Sequence, residues 1–195
     1  LPSMRRVLLE ALDLKALPRA GWVRAGLARP ESVAAHAWGV SWLVLALCPP
    51  GLDRDRALAL AVVHDLPEVR AGDRVPGELP PDEKVRRERE ALAGLLTGLP
   101  SAGRVAALWE EYEAGASQEA VFVRACDRLD MALQAARYAA DQDFDPSEFV
   151  ASALDGLDDP TLRALAGGAR SGGGNGPPHE VPDRGGRGGR PRGWE

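Results

Sequence analysis

Apolar residues recur at helical spacing in one segment of this chain after another, and Pro or Gly closes almost every segment. Strand-like alternation is absent, and so is a glycine-rich phosphate loop between a strand and a helix. Such a chain must bury its helices against one another, so an all-α bundle is expected rather than an α/β nucleotide-binding fold. With 195 residues it is long enough for one domain with a core of its own.

The spacing predicts a first helix over about Met4 to Leu14, with Val7, Leu8 and Leu12 on its inner face. A loop from Pro18 to Pro30 follows, holding Arg19, Gly21 and Trp22. A second helix, capped by Ser32, runs to about Leu47, where Pro49-Pro50-Gly51 stops it. A third starts near Asp53, is almost wholly apolar inside (Ala57, Leu60, Ala61, Val63), and ends at His64-Asp65. After a Pro- and Gly-containing loop to about residue 81 comes a charged helix, Asp82 to Leu96. Ser101 and Ser117 are expected to cap two more, reaching Glu113 and about Ala140. A last helix covers Pro146 to Leu165, with a break near Asp158-Asp159-Pro160.

From Gly167 onward Gly, Arg and Pro dominate, and such a stretch has almost nothing to bury. The expected organisation is a domain over 1–166 and a disordered tail over 167–195. The net charge is −5, and the tail is itself basic, so the domain is more acidic than the chain as a whole. An acidic body argues against nucleic acid as a partner. No apolar run reaches the roughly 18 residues a membrane span needs, and the start of the sequence lacks the pattern of a secretory signal. Cys48 and Cys126 read as reduced core thiols, which makes the cytoplasm the expected compartment.

Three histidines are present, and His179 falls in the tail. His36 alone reads more readily as a core histidine with a satisfied hydrogen bond than as a ligand. His64-Asp65 constrains more. A carboxylate at a helix C-terminus opposes the helix dipole, so Asp65 calls for a partner outside its own helix. Imidazole and carboxylate together suit divalent Mn, Fe, Co, Ni or Zn. Asp127 shares a helix face with Val123, Met131 and Gln134. A carboxylate there needs a cation, either a metal or the neighbouring Arg124 or Arg128. Asp130 reads as the more exposed partner of those arginines. Trp38 and Trp42, four residues apart, read as packing residues.

Taken together, these residues resemble the HD superfamily of metal-dependent phosphohydrolases, whose pattern is His, then His-Asp, then a distant Asp. Here 28 residues separate His36 from His64, and 62 separate Asp65 from Asp127. Within that superfamily the chain is similar to the YfbR-type 5′-deoxynucleotidases and their eukaryotic HD-domain relatives. The resemblance lies in Leu17-Pro-Arg-Ala-Gly-Trp22, Arg29-Pro-Glu-Ser-Val33, the block His64-Asp-Leu-Pro-Glu-Val-Arg-Ala-Gly-Asp73, and Leu108-Trp-Glu-Glu-Tyr112 leading into Cys126-Asp-Arg-Leu-Asp-Met131.

The resemblance implies a single all-α HD-domain helical bundle, often a homodimer, that hydrolyses deoxyribonucleoside 5′-monophosphates. It implies one divalent metal ion on His36, His64, Asp65 and Asp127. Glu68 and Asp73 match the catalytic carboxylates, and Trp22 matches a tryptophan beside the sugar that disfavours a 2′-hydroxyl. The bacterial pattern has Arg directly before that Trp, where this chain has Gly21. Arg19 then becomes the candidate for the phosphate contact. Read alone, Glu68 is also an ordinary solvated acid, Asp73 a turn residue, Arg19 a surface charge and Trp22 a core residue. Two other readings compete. One is a different HD-type reaction on a nucleoside triphosphate, alarmone or cyclic nucleotide. The other is a non-enzymatic RNA-associated module using the Arg/Gly tail.

Overall fold

The computed structural model describes residues 2–168, and within them every regular element is a helix. The order is α1 (Pro2–Ala11), a 3-10 turn (Leu12–Lys15), α2 (Ala20–Arg24), α3 (Val33–Leu47), α4 (Arg54–Val63), α5 (Glu68–Ala71), α6 (Pro81–Leu96), α7 (Ala102–Ala114), α8 (Gln118–Asp141), α9 (Ser147–Asp155) and α10 (Pro160–Gly168). The all-α expectation holds. The expected tail lies outside the described residues except for Gly167 and Gly168, which close α10. None of the described helices is long and apolar enough to cross a membrane.

The caps explain most boundaries. Ser32 Oγ accepts the Ala35 N–H, Asp53 the Arg56 N–H and Ser117 Oγ the Ala120 N–H, so three of the expected N-termini start where a side chain satisfies a free donor. Ser101 precedes α7 without such a bond. Gly115, at φ +60°, closes α7 in the left-handed conformation that glycine adopts without strain. The last segment breaks into α9 and α10 around Gly156–Asp159 as expected.

The long α8 is the axis of the domain, with α3, α4, α7, α9 and α10 packed round it. Its Ala120, Val123, Cys126, Leu129 and Ala132 meet Val40 and Val44 of α3, Leu60 and Ala61 of α4 and Val150 of α9 in the main core. Small residues on α8 let the neighbouring helices approach closely. A second cluster joins Trp22 to Ala135, Tyr138 and Phe149, and a third packs α6 on Trp109 of α7.

Two expectations about packing are corrected. Val7 is buried as expected, but Leu8 and Leu12 face outward, and Leu14, carried by the 3-10 turn after the helix, is the second buried residue of the segment. Trp38 and Trp42 are not packed within the domain: they are 70% and 54% exposed on the outer side of α3. That helix has no Asp, Glu, Lys or Arg along its length, so hydropathy alone could not separate its inner face from its outer one.

Both segments read as loops contain short helices, α2 and α5. The first is closed by paired backbone bonds, Arg19 N–H to Glu31 C=O and Val33 N–H to Leu17 C=O. This closure, and the turn after α4, bring the two segments together at the end of the bundle where His64 lies.

Candidate metal centre and active site

His36 comes from the first half of α3, His64 and Asp65 from the end of α4, and Asp127 from the middle of α8. The bundle brings them together. His64 Nε2 lies 3.1 Å from Asp65 Oδ2 and 3.4 Å from His36 Nε2. His36 Nε2 lies 3.1 Å from Asp127 Oδ1 and 3.6 Å from Asp65 Oδ2. Both imidazoles are buried.

The other ring nitrogens fix what these Nε2 atoms can do. His64 Nδ1 donates to the Ala61 carbonyl at 2.7 Å, and a carbonyl can only accept. His36 Nδ1 is 2.7 Å from Asp130 Oδ2 and donates to it. Each ring therefore turns Nε2 toward the other, with Asp65 and Asp127 beside them. Two imidazole nitrogens and two carboxylates converge there in a buried space, and the carboxylates need positive charge beside them, from the ring protons, from Arg19 or from a metal. The nitrogens of His36 and His64 and the Asp65 carboxylate lie close enough together to hold a metal, and this mix of donors suits a borderline divalent ion.

The electrostatics agree. Burial alone would raise Asp65 and Asp127, yet both carboxyls are held low, Asp65 by His64 and Arg19 and Asp127, at about 2, by its bond to His36. Burial and Arg19 pull His36 down, but the carboxylates of Asp127 and Asp130 on its two nitrogens carry it up to about 10. A dication taking that place would compete with the Nε2 proton. A second group, Glu31, His36 and Asp130, also lies close together. Two of its donor atoms are already engaged: His36 Nδ1 with Asp130, and Glu31 Oε1 with the Trp22 indole N–H at 2.9 Å.

A cavity of about 510 Å³ opens from this cluster, within the roughly 300–1,000 Å³ of small-molecule sites. His64, Asp65, Glu68, Asp73, Arg19, Trp22 and Asp127 all line it. Glu68 is not the solvated acid a surface reading would make it. It is 6% exposed, and its Oε2 is the buried side-chain atom without a hydrogen-bond partner among the described residues. Burial, with Asp65 and Asp73 adding repulsion, raises its carboxyl to about 10. Arg19 is not a surface charge either. Its Nη1 sits 3.4 Å from Asp65 Oδ2 and 3.6 Å from Asp73 Oδ1. Asp73 Oδ2 accepts the Ala20 N–H at 2.7 Å rather than forming a turn of its own.

Trp22 is 3% exposed and held edge-on by Tyr138 and Phe144 and against Phe149, with one side toward the cavity. Core residue and cavity wall are here the same residue. Tyr112 donates its hydroxyl to Asp127 Oδ2 at 3.1 Å, a contact that sequence reasoning did not find. Asp130 corrects an expectation. It is not paired with Arg124 or Arg128 but with His36. Arg124 instead bonds the Tyr112 and Glu113 carbonyls, and Arg128 reaches the Ser152 carbonyl. The signal for Asp130 was its spacing: three residues after Asp127 on a helix, it shares that residue's side.

An all-helical domain whose buried His and Asp side chains meet beside a polar cavity has a donor set that could hold a metal ion. The chain belongs to the HD domain family, whose model matches residues 11–162. It is 41% identical over 129 residues to human 5′-deoxynucleotidase HDDC2, a match covering 65% of this chain and 63% of HDDC2. With 5′-deoxynucleotidase hdd1 of Schizosaccharomyces pombe the identity is 35%, over 64% of this chain and 67% of hdd1. The chain thus spans less than two thirds of the length of HDDC2. Among solved structures it is similar to the PH0347 protein of Pyrococcus horikoshii OT3 (TM-score 0.69, 30% identity, covering 86% of this chain and 97% of that one). It is also similar to a structure from Magnetospirillum magnetotacticum MS-1 described as a "Predicted metal-dependent phosphohydrolase" (TM-score 0.70, 26% identity, covering 87% and 90%).

Proposed function

We propose that the chain is a metal-dependent 5′-deoxynucleotidase that hydrolyses deoxyribonucleoside 5′-monophosphates to deoxynucleoside and phosphate, with residues 1–166 as its catalytic domain. The observation that carries this is the pair of Nε2 atoms 3.4 Å apart, flanked by Asp65 and Asp127, at the base of a cavity lined by Glu68 and Arg19. Similarity to HDDC2 and hdd1 supports the substrate class.

In this reading His36, His64, Asp65 and Asp127 hold one divalent ion, Co, Mn, Fe, Ni or Zn. That ion supplies Lewis acidity toward a phosphate oxygen and lowers the pKa of a water. The remaining work falls to the chain. Arg19, fixed between Asp65 and Asp73, offers its outer guanidinium edge to the phosphate. Glu68, whose carboxyl keeps its proton at neutral pH, donates it to the departing 5′-oxygen as water adds to phosphorus and the P–O5′ bond breaks, and the proton shed by that water restores the Glu68 carboxyl. Asp73 holds the Arg19 segment in place. Trp22, locked among aromatic rings, is a rigid wall against which a 2′-hydroxyl fits poorly.

Two further points belong to the same proposal. Trp38, Trp42 and Leu45 form an exposed apolar row on the uncharged α3, which suits a homodimer. The two unpaired cysteines suit a reducing cytoplasm. The test is phosphate release from all ribo- and deoxyribonucleoside 5′-monophosphates with Co or Mn added. Release from the deoxy series that disappears in Asp65→Ala and in excess chelator supports the proposal. Equal release in that variant overturns the metal reading, and release confined to another nucleotide class overturns the substrate.

A further inference from the structure

Asp127 and Asp130 stand one helical turn apart on α8, and both reach the same imidazole. Asp127 Oδ1 lies 3.1 Å from His36 Nε2, and Asp130 Oδ2 lies 2.7 Å from His36 Nδ1. The ring is thus gripped at both nitrogens by one helix while its own backbone belongs to another. Asp130 is mostly buried, with its side chain 15% exposed.

This grip depends on a gap in α3. Gly39, three residues after His36, lies where the Asp130 carboxylate passes. A Cβ built there would overlap Asp130 Oδ1 and sit 2.9 Å from Asp130 Cγ. Gly39 has ordinary helical backbone, so no turn or left-handed conformation calls for glycine. In a helix interior Gly is destabilising relative to Ala. The space left for Asp130 is the compensating feature.

We propose that Asp130 is a positioning residue for the metal centre. It orients the His36 ring and fixes its Nδ1–H tautomer, so that Nε2 presents a lone pair to the metal, and Gly39 is the residue that admits it. The proposal rests on the metal reading of the His36, His64, Asp65 and Asp127 cluster. Partners of this kind matter energetically, since removing the group that holds a metal-binding histidine typically weakens affinity by about 10–100-fold. The charged group facing Asp130 from the other side, Glu31, is engaged with the Trp22 indole and does not compete for His36 Nδ1.

The experiment titrates Co(II) into the metal-stripped full chain, following heat and visible absorption, for wild type, Asp130→Ala, Asp130→Asn, Gly39→Ala and Asp130→Ala/Gly39→Ala. His64→Ala serves as a control that removes a ligand. Asp130→Ala should bind about 10–100-fold more weakly, with an altered cobalt spectrum and a metal-free melting temperature close to wild type. Asp130→Asn keeps an acceptor for Nδ1–H and should recover most of the affinity. Gly39→Ala should weaken binding without touching any ligand, and should add nothing once Asp130 is already Ala. Wild-type affinity and spectrum in Asp130→Ala would overturn the proposal, as would additive losses in the double variant. If wild type binds no better than His64→Ala, the metal reading falls and this proposal with it.

Discussion

Asp73 accepts a hydrogen bond from the Ala20 N–H at 2.7 Å, and this one contact ties the far end of the His64–Asp73 block to the first residue of α2. The carboxylate does the work of an N-cap from a distant part of the chain, since Arg19, at the cap position, has no side-chain bond of that kind. Its other oxygen faces Arg19 at 3.6 Å. Asp73→Ala should therefore destabilise the domain by about 1 kcal/mol, the usual value of a cap, and also release Arg19. Asp73→Asn keeps the acceptor and should recover the stability but not the ion pair. Urea unfolding separates the two variants, and equal stability of Asp73→Ala and wild type would refute the capping role.

Arg19 is the test of the phosphate contact. Burial costs its charge, but Asp65 and Asp73 hold it well above the ordinary arginine range, so it is a fixed cation beside the metal cluster. A charge-assisted hydrogen bond is worth roughly 1.5–3 kcal/mol, so Arg19→Ala should lower kcat/KM on deoxynucleoside monophosphates by about 10–150-fold. Arg19→Lys keeps a charge but loses the planar fork and should recover only part. The measurement is steady-state kinetics at saturating metal. Unchanged kcat/KM in Arg19→Ala would remove Arg19 from the reaction and reopen the significance of Gly21.

The sequence was readable where one residue satisfies one local rule. Ser32, Asp53 and Ser117 announce helix starts because a cap acts within three residues. His64-Asp65 announced a site because the acid is wrong for its helix end. What could not be read depended on helices meeting. The spacing of Asp130 from Asp127 puts it on the same side of α8, but its role exists only because Gly39 of a different helix leaves room for it. The burial of Glu68 comes from packing of α5 on α6, not from its neighbours in sequence. Trp38 and Trp42 misled because an uncharged helix gives no signal of which side lies outward.

Those two tryptophans predict the solution state. Large apolar side chains this exposed, in a row with Leu45, should be covered if the proposed homodimer forms through α3. Trp38→Glu/Trp42→Glu should convert a dimer to a monomer, read by sedimentation velocity at micromolar protein. His36 and Gly39 face the interior from the same helix, so the variant's metal affinity reports whether the interface also steadies the centre. A wild-type protein that sediments as a monomer would end this reading.

Glu68 links the site to stability, and the sign can be worked out. Its carboxyl moves from an ordinary 4.5 to about 10 in the folded chain, mainly through burial and then through Asp65 and Asp73. Below pH 4.5 both folded and unfolded chains hold the proton, and the site carries no penalty. As the pH rises the unfolded chain ionises first, so stability falls across the window up to about 10. Glu68→Gln has no proton to lose, and groups common to both proteins cancel in the difference. In chelator, which keeps metals from drawing the proton off, the variant should gain on wild type as pH rises from 5 to 8, at up to about 1.4 kcal/mol per pH unit. Urea midpoints at several pH values measure this gap. A gap that is flat with pH would mean that Glu68 is ionised in the folded protein, and the proton proposed for the leaving oxygen would have to come from another group.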